Sequence, residues 1–304
     1  MKVRNRSILC IGECMVELSP TGSGTFSKGF AGDTFNTAWY LKSALPAGWS
    51  ISYLTGLGDD TNSDEMVDFI GAAGIGTQDI IRFSHKNAGL YMIHLKNGER
   101  RFSYWRENAA ARALADDLGK LEASMQRAGI IYFSGISLAI LQGNGRNNLL
   151  SALANARKKG TVIVFDPNLR PRLWEHADTM RDEVMRAASV SDIVLPSFDD
   201  EAEHFGDINP EATLKRYQQV GAKVIVVKNA EGPILATGST ERNMTFAPEI
   251  VESPVDTTAA GDSFNAGFLA TYLRGGDLLA ALKAGSSLSA KVINQRGALV
   301  NLKP

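Results

Sequence analysis

Short runs of apolar, often β-branched residues recur along this chain, and stretches with helical spacing lie between them. The runs fall at 7–11, 50–55, 130–133, 161–165, 193–195 and 223–228. Several, such as Val162-Ile163-Val164-Phe165 and Val224-Ile225-Val226-Val227, show no alternation of polar and apolar positions. A strand that is apolar on both sides must be covered on both faces, and a parallel sheet with helices above and below meets that condition. Segments 33–45, 63–73, 146–159, 178–188 and 211–220 have the spacing or composition to supply the helices. The order predicts an α/β protein with a mostly parallel sheet and right-handed strand–helix–strand crossovers.

Two segments interrupt this rhythm. Residues 13–30 are rich in Gly, Ser and Thr with few helix formers, and residues 88–104 read as a hairpin turning at Asn97-Gly98. A pair of strands inserted into an α/β alternation suggests a small accessory sheet over one edge, built from about 13–30 and 88–106. With no repeat, low-complexity tract or linker, the 304 residues are expected to form one domain over 1–304.

Composition narrows the function. Apolar residues make up 44% and charged residues 21%, and the formal net charge is -1, which gives no basis for a nucleic-acid or membrane-surface partner. Cys10 and Cys14 have no second pair or clustered histidine to complete a metal site, so they read as buried thiols. His85, His94, His176 and His204 are scattered without ligand spacing. The absence of a long apolar leader or span points to a cytoplasmic protein.

The most informative motif is Asp256-Thr257-Thr258-Ala259-Ala260-Gly261-Asp262, set ahead of the apolar run from Ser263 to Leu273. Small residues opening a helix leave backbone N–H groups unpaired at the positive end of its dipole, where a phosphate can approach closely. A carboxylate at Asp262 would repel that anion but could accept a proton from an attacking hydroxyl. Taken alone, the run is also compatible with a loop capping a core helix, Asp262 supplying first-turn charge. Ala31-Gly32-Asp33-Thr34-Phe35-Asn36 places polar side chains at another helix start, suited to a polyol or simply to capping. No Gly-x-x-x-x-Gly-Lys-Ser/Thr loop is present, and Gly71-Ala72-Ala73-Gly74-Ile75-Gly76 lacks dinucleotide-loop spacing.

The run from Asp256 to Phe268 resembles the C-terminal signature of the ribokinase-like (PfkB) sugar kinases, and Gly32, Asp33 and Asn36 resemble the sugar-binding element of that family, with Ala31 in place of its first glycine. The resemblance implies a ribokinase-like fold in which the accessory sheet is a lid and a homodimer interface. It implies that Asp262 is the catalytic base and that Ala259, Ala260 and Gly261 form the anion hole. Val227-Lys228-Asn229-Ala230-Glu231-Gly232 resembles the family's nucleotide loop, with Ala230 where glycine is usual, and Gly56-Leu57-Gly58-Asp59-Asp60 fits an early family stretch. By the same likeness Asn168, Ser197, Lys228, Ala230, Gly232, Gly261 and Asn294 would meet ATP. Asp200 and Glu201 would meet Mg²⁺ through water, and Asp256 and Thr258 a monovalent cation such as K⁺.

For the substrate, arginine suits a planar carboxylate through paired hydrogen bonds. Ile11 to Leu18, Tyr104-Trp105-Arg106 and Asp166-Pro167-Asn168-Leu169-Arg170 together are similar to the family members that phosphorylate 2-keto-3-deoxygluconate. That likeness implies a sugar acid held by Tyr91, Tyr104, Arg106 and Arg170 together with Gly32, Asp33 and Asn36. Fructose or another hexose is the alternative acceptor, and a catalytically silent sugar-binding module is the alternative class.

Overall fold

The apolar runs pair into one eight-stranded sheet, in the order Ser50–Leu54, Ser7–Ile11, Ile130–Ser134, Val162–Asp166, Ile193–Val194, Val224–Val227, Ile234–Thr237, Met244–Phe246. The first six strands are mutually parallel, and the last two add an antiparallel edge. A computed structural model provides the coordinates and describes residues 3–96, 99–238 and 243–302. The expected turn at Asn97-Gly98 lies outside the described residues.

The unalternating runs behave as their composition demands. Ile130–Ser134, Val162–Asp166 and Val224–Val227 are buried at every position. Successive side chains feed two separate cores. Cys10, Tyr132 and Val164 pack with Phe35, Tyr53 and Phe268 on one face, while Leu9, Phe133 and Phe165 pack with Leu153 and Tyr217 on the other. Fully burying one such side chain is worth about 1.5–3 kcal/mol, so the two cores clamp the sheet. Helices Asp33–Ala44, Ala260–Tyr272 and Leu278–Ile293 cover the first face, and Gly145–Lys158, Ala177–Ser189 and Pro210–Gln219 the second. Cys10 and Cys14 are buried and free, as expected. Among the described residues, no helix is long and apolar enough to cross a membrane.

The accessory sheet forms over the carboxyl edge of the parallel strands. Its order is Thr25–Ala31, Met15–Gly22, Leu90–Lys96, Glu99–Trp105, with Tyr91 directly opposite Tyr104. Met15, Ala31, Tyr91 and Ile93 seal it against Ala298 and Ala259. Phe102, Tyr104 and Trp105 remain exposed.

Candidate active site

The site lies where the lid faces the start of the Ala260–Tyr272 helix. Ala259, the N-cap, has φ of 61°, a left-handed conformation that alanine seldom adopts. This twist sends the backbone from the preceding loop straight into the helix. The Ala260 amide closes the turn on the Thr257 carbonyl at 3.2 Å. Among the described residues the amides of Gly261 and Asp262 have no backbone acceptor. Among the described residues the Ala259 amide is open as well, so of the expected Ala259–Ala260–Gly261 set only Ala260 is engaged. A Cβ on Gly261 would stand 3.6 Å from the Lys228 ammonium, so this cation borders the turn.

Asp262 is half-buried and meets the other signature. Its Oδ2 accepts the side-chain amide of Asn36 at 2.8 Å. Burial pushes its pKa up to about 8, with the carboxylates of Asp33 and Asp166 adding to the rise and Asn36 and Lys228 opposing it. Asp33 in turn accepts the Asn168 side-chain amide at 2.8 Å. Burial raises the Asp33 pKa as well, against hydrogen bonds that favour its charged form. Gly32 is demanded by close approach: a Cβ there would lie 2.1 Å from the Glu13 carbonyl at the root of the lid. Asn168, assigned by resemblance to the nucleotide, is turned toward the Asp33 carboxylate.

Below Asp262, Lys228 is buried and shares a knot with two residues that the sequence reading left out of the site. Its Nζ donates to Asp166 Oδ2 at 3.4 Å and to Asn265 Oδ1 at 3.2 Å, and Asn265 donates to the same Asp166 oxygen at 2.7 Å. Both had a local signal, since Asp166 ends a parallel strand and Asn265 sits inside the C-terminal signature. From Lys228 a cleft of about 410 Å³ opens between Ala230, Ser197, Gly261, Ser289 and Ile293. Ala230 has φ of 41°, which explains the family preference for glycine there. The Gly232 amide closes this turn on the Asn229 carbonyl at 2.5 Å. Ser289 braces the anion turn by donating to the Ala260 carbonyl at 3.0 Å. Asn294 caps its own helix, bonding the Ala290 carbonyl at 2.8 Å beside the cleft.

The lid brings one of the expected arginines, Arg106, onto Tyr104. Arg106 lies 5.9 Å from the Tyr104 ring and is ion-paired with Glu13, a fully buried carboxylate whose Oε1 has no partner. Glu13 is a site residue that sequence reasoning missed, though it stands in a quoted motif. Burial raises its pKa and Arg106 works against the rise. Arg170 is half-exposed, bonded to its own Leu169 carbonyl at 2.6 Å and to Asp200 at 3.4 Å. Burial raises the Tyr104 pKa, with Arg106 and then Arg170 pulling it down, so all three share one field. Tyr91 donates to Glu17.

The acidic pair at 200–201 divides. Asp200, held among the described residues by the long Arg170 contact, has a carboxylate suited to a hard cation's water shell. Glu201 does not fit that role. It is fully buried, and its oxygens accept Tyr217 at 2.8 Å and Arg216 at 2.7 Å. Burial lifts its pKa to about 7 against the pull of Arg216, and the reason for its acid character is structural. The monovalent-cation position at Asp256 and Thr258 is likewise filled, by the guanidinium of Arg100. Among the described residues no cluster of His, Cys, Asp and Glu could hold a metal by itself.

A carboxylate of raised pKa, open helix amides and a buried lysine beside a cleft define a phosphotransferase site on an α/β sheet. The chain matches the pfkB family of carbohydrate kinases over residues 5–303 and belongs to that family. It is 37% identical to the 2-dehydro-3-deoxygluconokinase of Haemophilus influenzae, covering 97% of this chain and 96% of that one. It is 38% identical to the enzyme of the same name from Dickeya dadantii, over 98% of each. Among solved structures, a PfkB protein from Polaromonas sp. JS666 superposes with a TM-score of 0.84 at 25% identity, covering 95% of this chain and 96% of that one.

Proposed function

We propose that this protein is an ATP-dependent kinase of 2-keto-3-deoxygluconate (2-dehydro-3-deoxygluconate), transferring the γ-phosphoryl group to the 6-hydroxyl to give the 6-phosphate. The observation that carries the reading is Asp262: a carboxylate of pKa about 8, on the helix turn whose amides stay open beside Lys228. A base works best when its pKa lies near the working pH. The near full-length likeness to two 2-dehydro-3-deoxygluconokinases supports the substrate, as does Arg106 standing over the Tyr104 ring.

In this reading Gly32, Asp33 and Asn36 hold sugar hydroxyls, and Tyr91, Tyr104, Arg106 and Arg170 hold the keto-acid end. Asn36 aims the Asp262 carboxylate, which takes the proton as the hydroxyl attacks. The amides of Ala259, Gly261 and Asp262 and the Lys228 ammonium receive the charge that develops on the transferring group. The cleft lined by Ala230, Ser197 and Ile293 takes the nucleotide. Mg²⁺, when bound with ATP, supplies charge neutralisation across the phosphates, and Asp200 would hold its water. K⁺ is no part of this reading, because Arg100 already neutralises Asp256. The exposed Phe102 and Trp105 of the lid fit a homodimer interface, and a cytoplasmic location fits the chemistry.

A coupled kinase assay across 2-keto-3-deoxygluconate, its galactonate epimer, fructose and ribose tests the reading. The sugar acids should give the highest kcat/KM. Preference for fructose would replace the substrate, and binding of sugar without turnover of any would point to a silent module.

A further inference from the structure

The lid and the anion turn meet at an ion pair that the proposed chemistry does not use. Arg100, on the outer lid strand Glu99–Trp105, places Nη2 2.6 Å from Asp256 Oδ2, and its Nη1 donates to the Thr258 hydroxyl. The Asp256 side chain is only 3% exposed. Its Oδ1 accepts the Thr258 amide at 3.0 Å, and its Oδ2 also accepts the Gly297 amide at 2.7 Å. Burial acts to raise the Asp256 pKa, but these donors and Arg100 outweigh it and hold the group below the usual carboxylate range. A bound metal ion needs oxygen lone pairs turned toward it. Here both carboxylate oxygens already receive N–H groups, and the remaining approach is closed by a guanidinium.

We propose that Arg100 is the built-in counter-ion of the loop before the anion turn, standing where a dissociable monovalent cation would otherwise stand and fastening the lid to that loop. A guanidinium keeps its charge at any physiological pH and cannot be diluted away. Arg100 shares its strand with Tyr104 and leads into Arg106, so seating the lid on the sugar also sets the loop that carries Ala259. Arg100 is thus a positioning residue: it touches neither substrate nor phosphate and acts through Asp256 and Thr258. The proposal rests on the kinase reading only where turnover is measured.

The experiment uses the full chain in buffers whose sole monovalent cation is K⁺, Na⁺ or tetramethylammonium. Wild-type turnover and thermal midpoint should be the same in all three, and activation by K⁺ of about tenfold or more, the size of a lost charged hydrogen bond, would overturn the proposal. Arg100→Ala should lose about tenfold to a hundredfold in kcat. Added guanidinium or K⁺, but not tetramethylammonium, should restore part of that loss and raise the melting temperature of the variant. Full activity in Arg100→Ala, or a loss that neither ion repairs, would also overturn it. Should Arg100→Ala fail to fold, Arg100→Lys keeps the charge and should remain indifferent to K⁺; dependence on K⁺ there counts against the proposal. The melting comparison needs no substrate, so it stands even if the acceptor is another sugar.

Discussion

Asn36 donates its side-chain amide to Asp262 across 2.8 Å, joining residues 226 positions apart in the chain. One belongs to the N-terminal motif and the other to the C-terminal motif, so the bond aligns the element proposed to hold the acceptor with the proposed base. It also favours the charged form of a carboxylate that its surroundings otherwise disfavour.

The first prediction is a pH dependence. The base works only when ionised, and its pKa is about 8. kcat/KM for the sugar acid should therefore climb as pH rises through that value. A profile flat across it would remove Asp262 from the role of base.

Replacing the carboxylate separates activity from stability. Asp262→Asn should lower turnover by about 10²–10⁴. The folded pKa of about 8 lies above the ordinary 3.8, so the folded state holds a proton that the unfolded chain releases. The stability linked to that proton is complete below 3.8 and is lost as pH rises toward 8. Asp262→Asn should thus melt at a higher temperature than wild type, by a margin that widens with pH. Equal melting curves at acidic and alkaline pH would contradict the raised pKa.

Gly261 is set by access, since its φ is ordinary and a Cβ would have only the Lys228 ammonium nearby, at 3.6 Å. Gly261→Val should fold with a nearly unchanged melting temperature yet lose about 2.7–4 kcal/mol of transition-state stabilisation, the worth of one oxyanion donor. Kinetics and calorimetry on the same preparation check both halves. An active valine variant would place the phosphate elsewhere.

The two arginines should fail differently. Arg170→Ala removes a half-exposed side chain with one long ionic contact, so it should cut kcat/KM for the sugar acid about tenfold to a hundredfold at unchanged stability. Arg106→Ala also strands the buried Glu13 carboxylate, and losing one partner of such a pair typically costs about 3–5 kcal/mol. Melting curves alongside KM for sugar acid, fructose and ATP distinguish the two. Equal losses on fructose and sugar acid would argue against carboxylate binding.

Glu201 supplies a structural contrast. Glu201→Ala should leave kcat and KM near wild type while destabilising the fold by about 1–3 kcal/mol, because the buried Tyr217 hydroxyl loses its acceptor while Arg216 keeps Asp207. A selective rise in the Mg²⁺ requirement would return it to the active site.

The parallel strands were legible because burial on both faces leaves a composition that little else produces. The lid was legible as an interruption of that pattern. The antiparallel edge was not: Ile234–Thr237 is four residues between Pro233 and Gly238, too short to show a period. The Leu278–Ile293 helix was obscured by Gly285 and its serine neighbours. Its glycine is required by packing, since a Cβ there would meet the Phe264 carbonyl at 2.9 Å. Asp200 and Glu201 were read alike by resemblance, and adjacent acids could not reveal that one reaches Arg170 and the other the core. Arg100 had no local signal, its partner Thr258 lying 158 residues away.

Two turns beside the cleft at Lys228 contain alanines, Ala230 and Ala259, held in left-handed backbone. Each conformation costs about 1–2 kcal/mol relative to glycine. Glycine would relieve that strain but give back about 0.5–1 kcal/mol by enlarging the freedom of the unfolded chain. The two effects oppose each other and leave a net of about 0–1.5 kcal/mol, so melting temperature reports only part of what these methyl groups do. Their consequence is stiffness: with alanine the loops have fewer shapes to visit between turnovers.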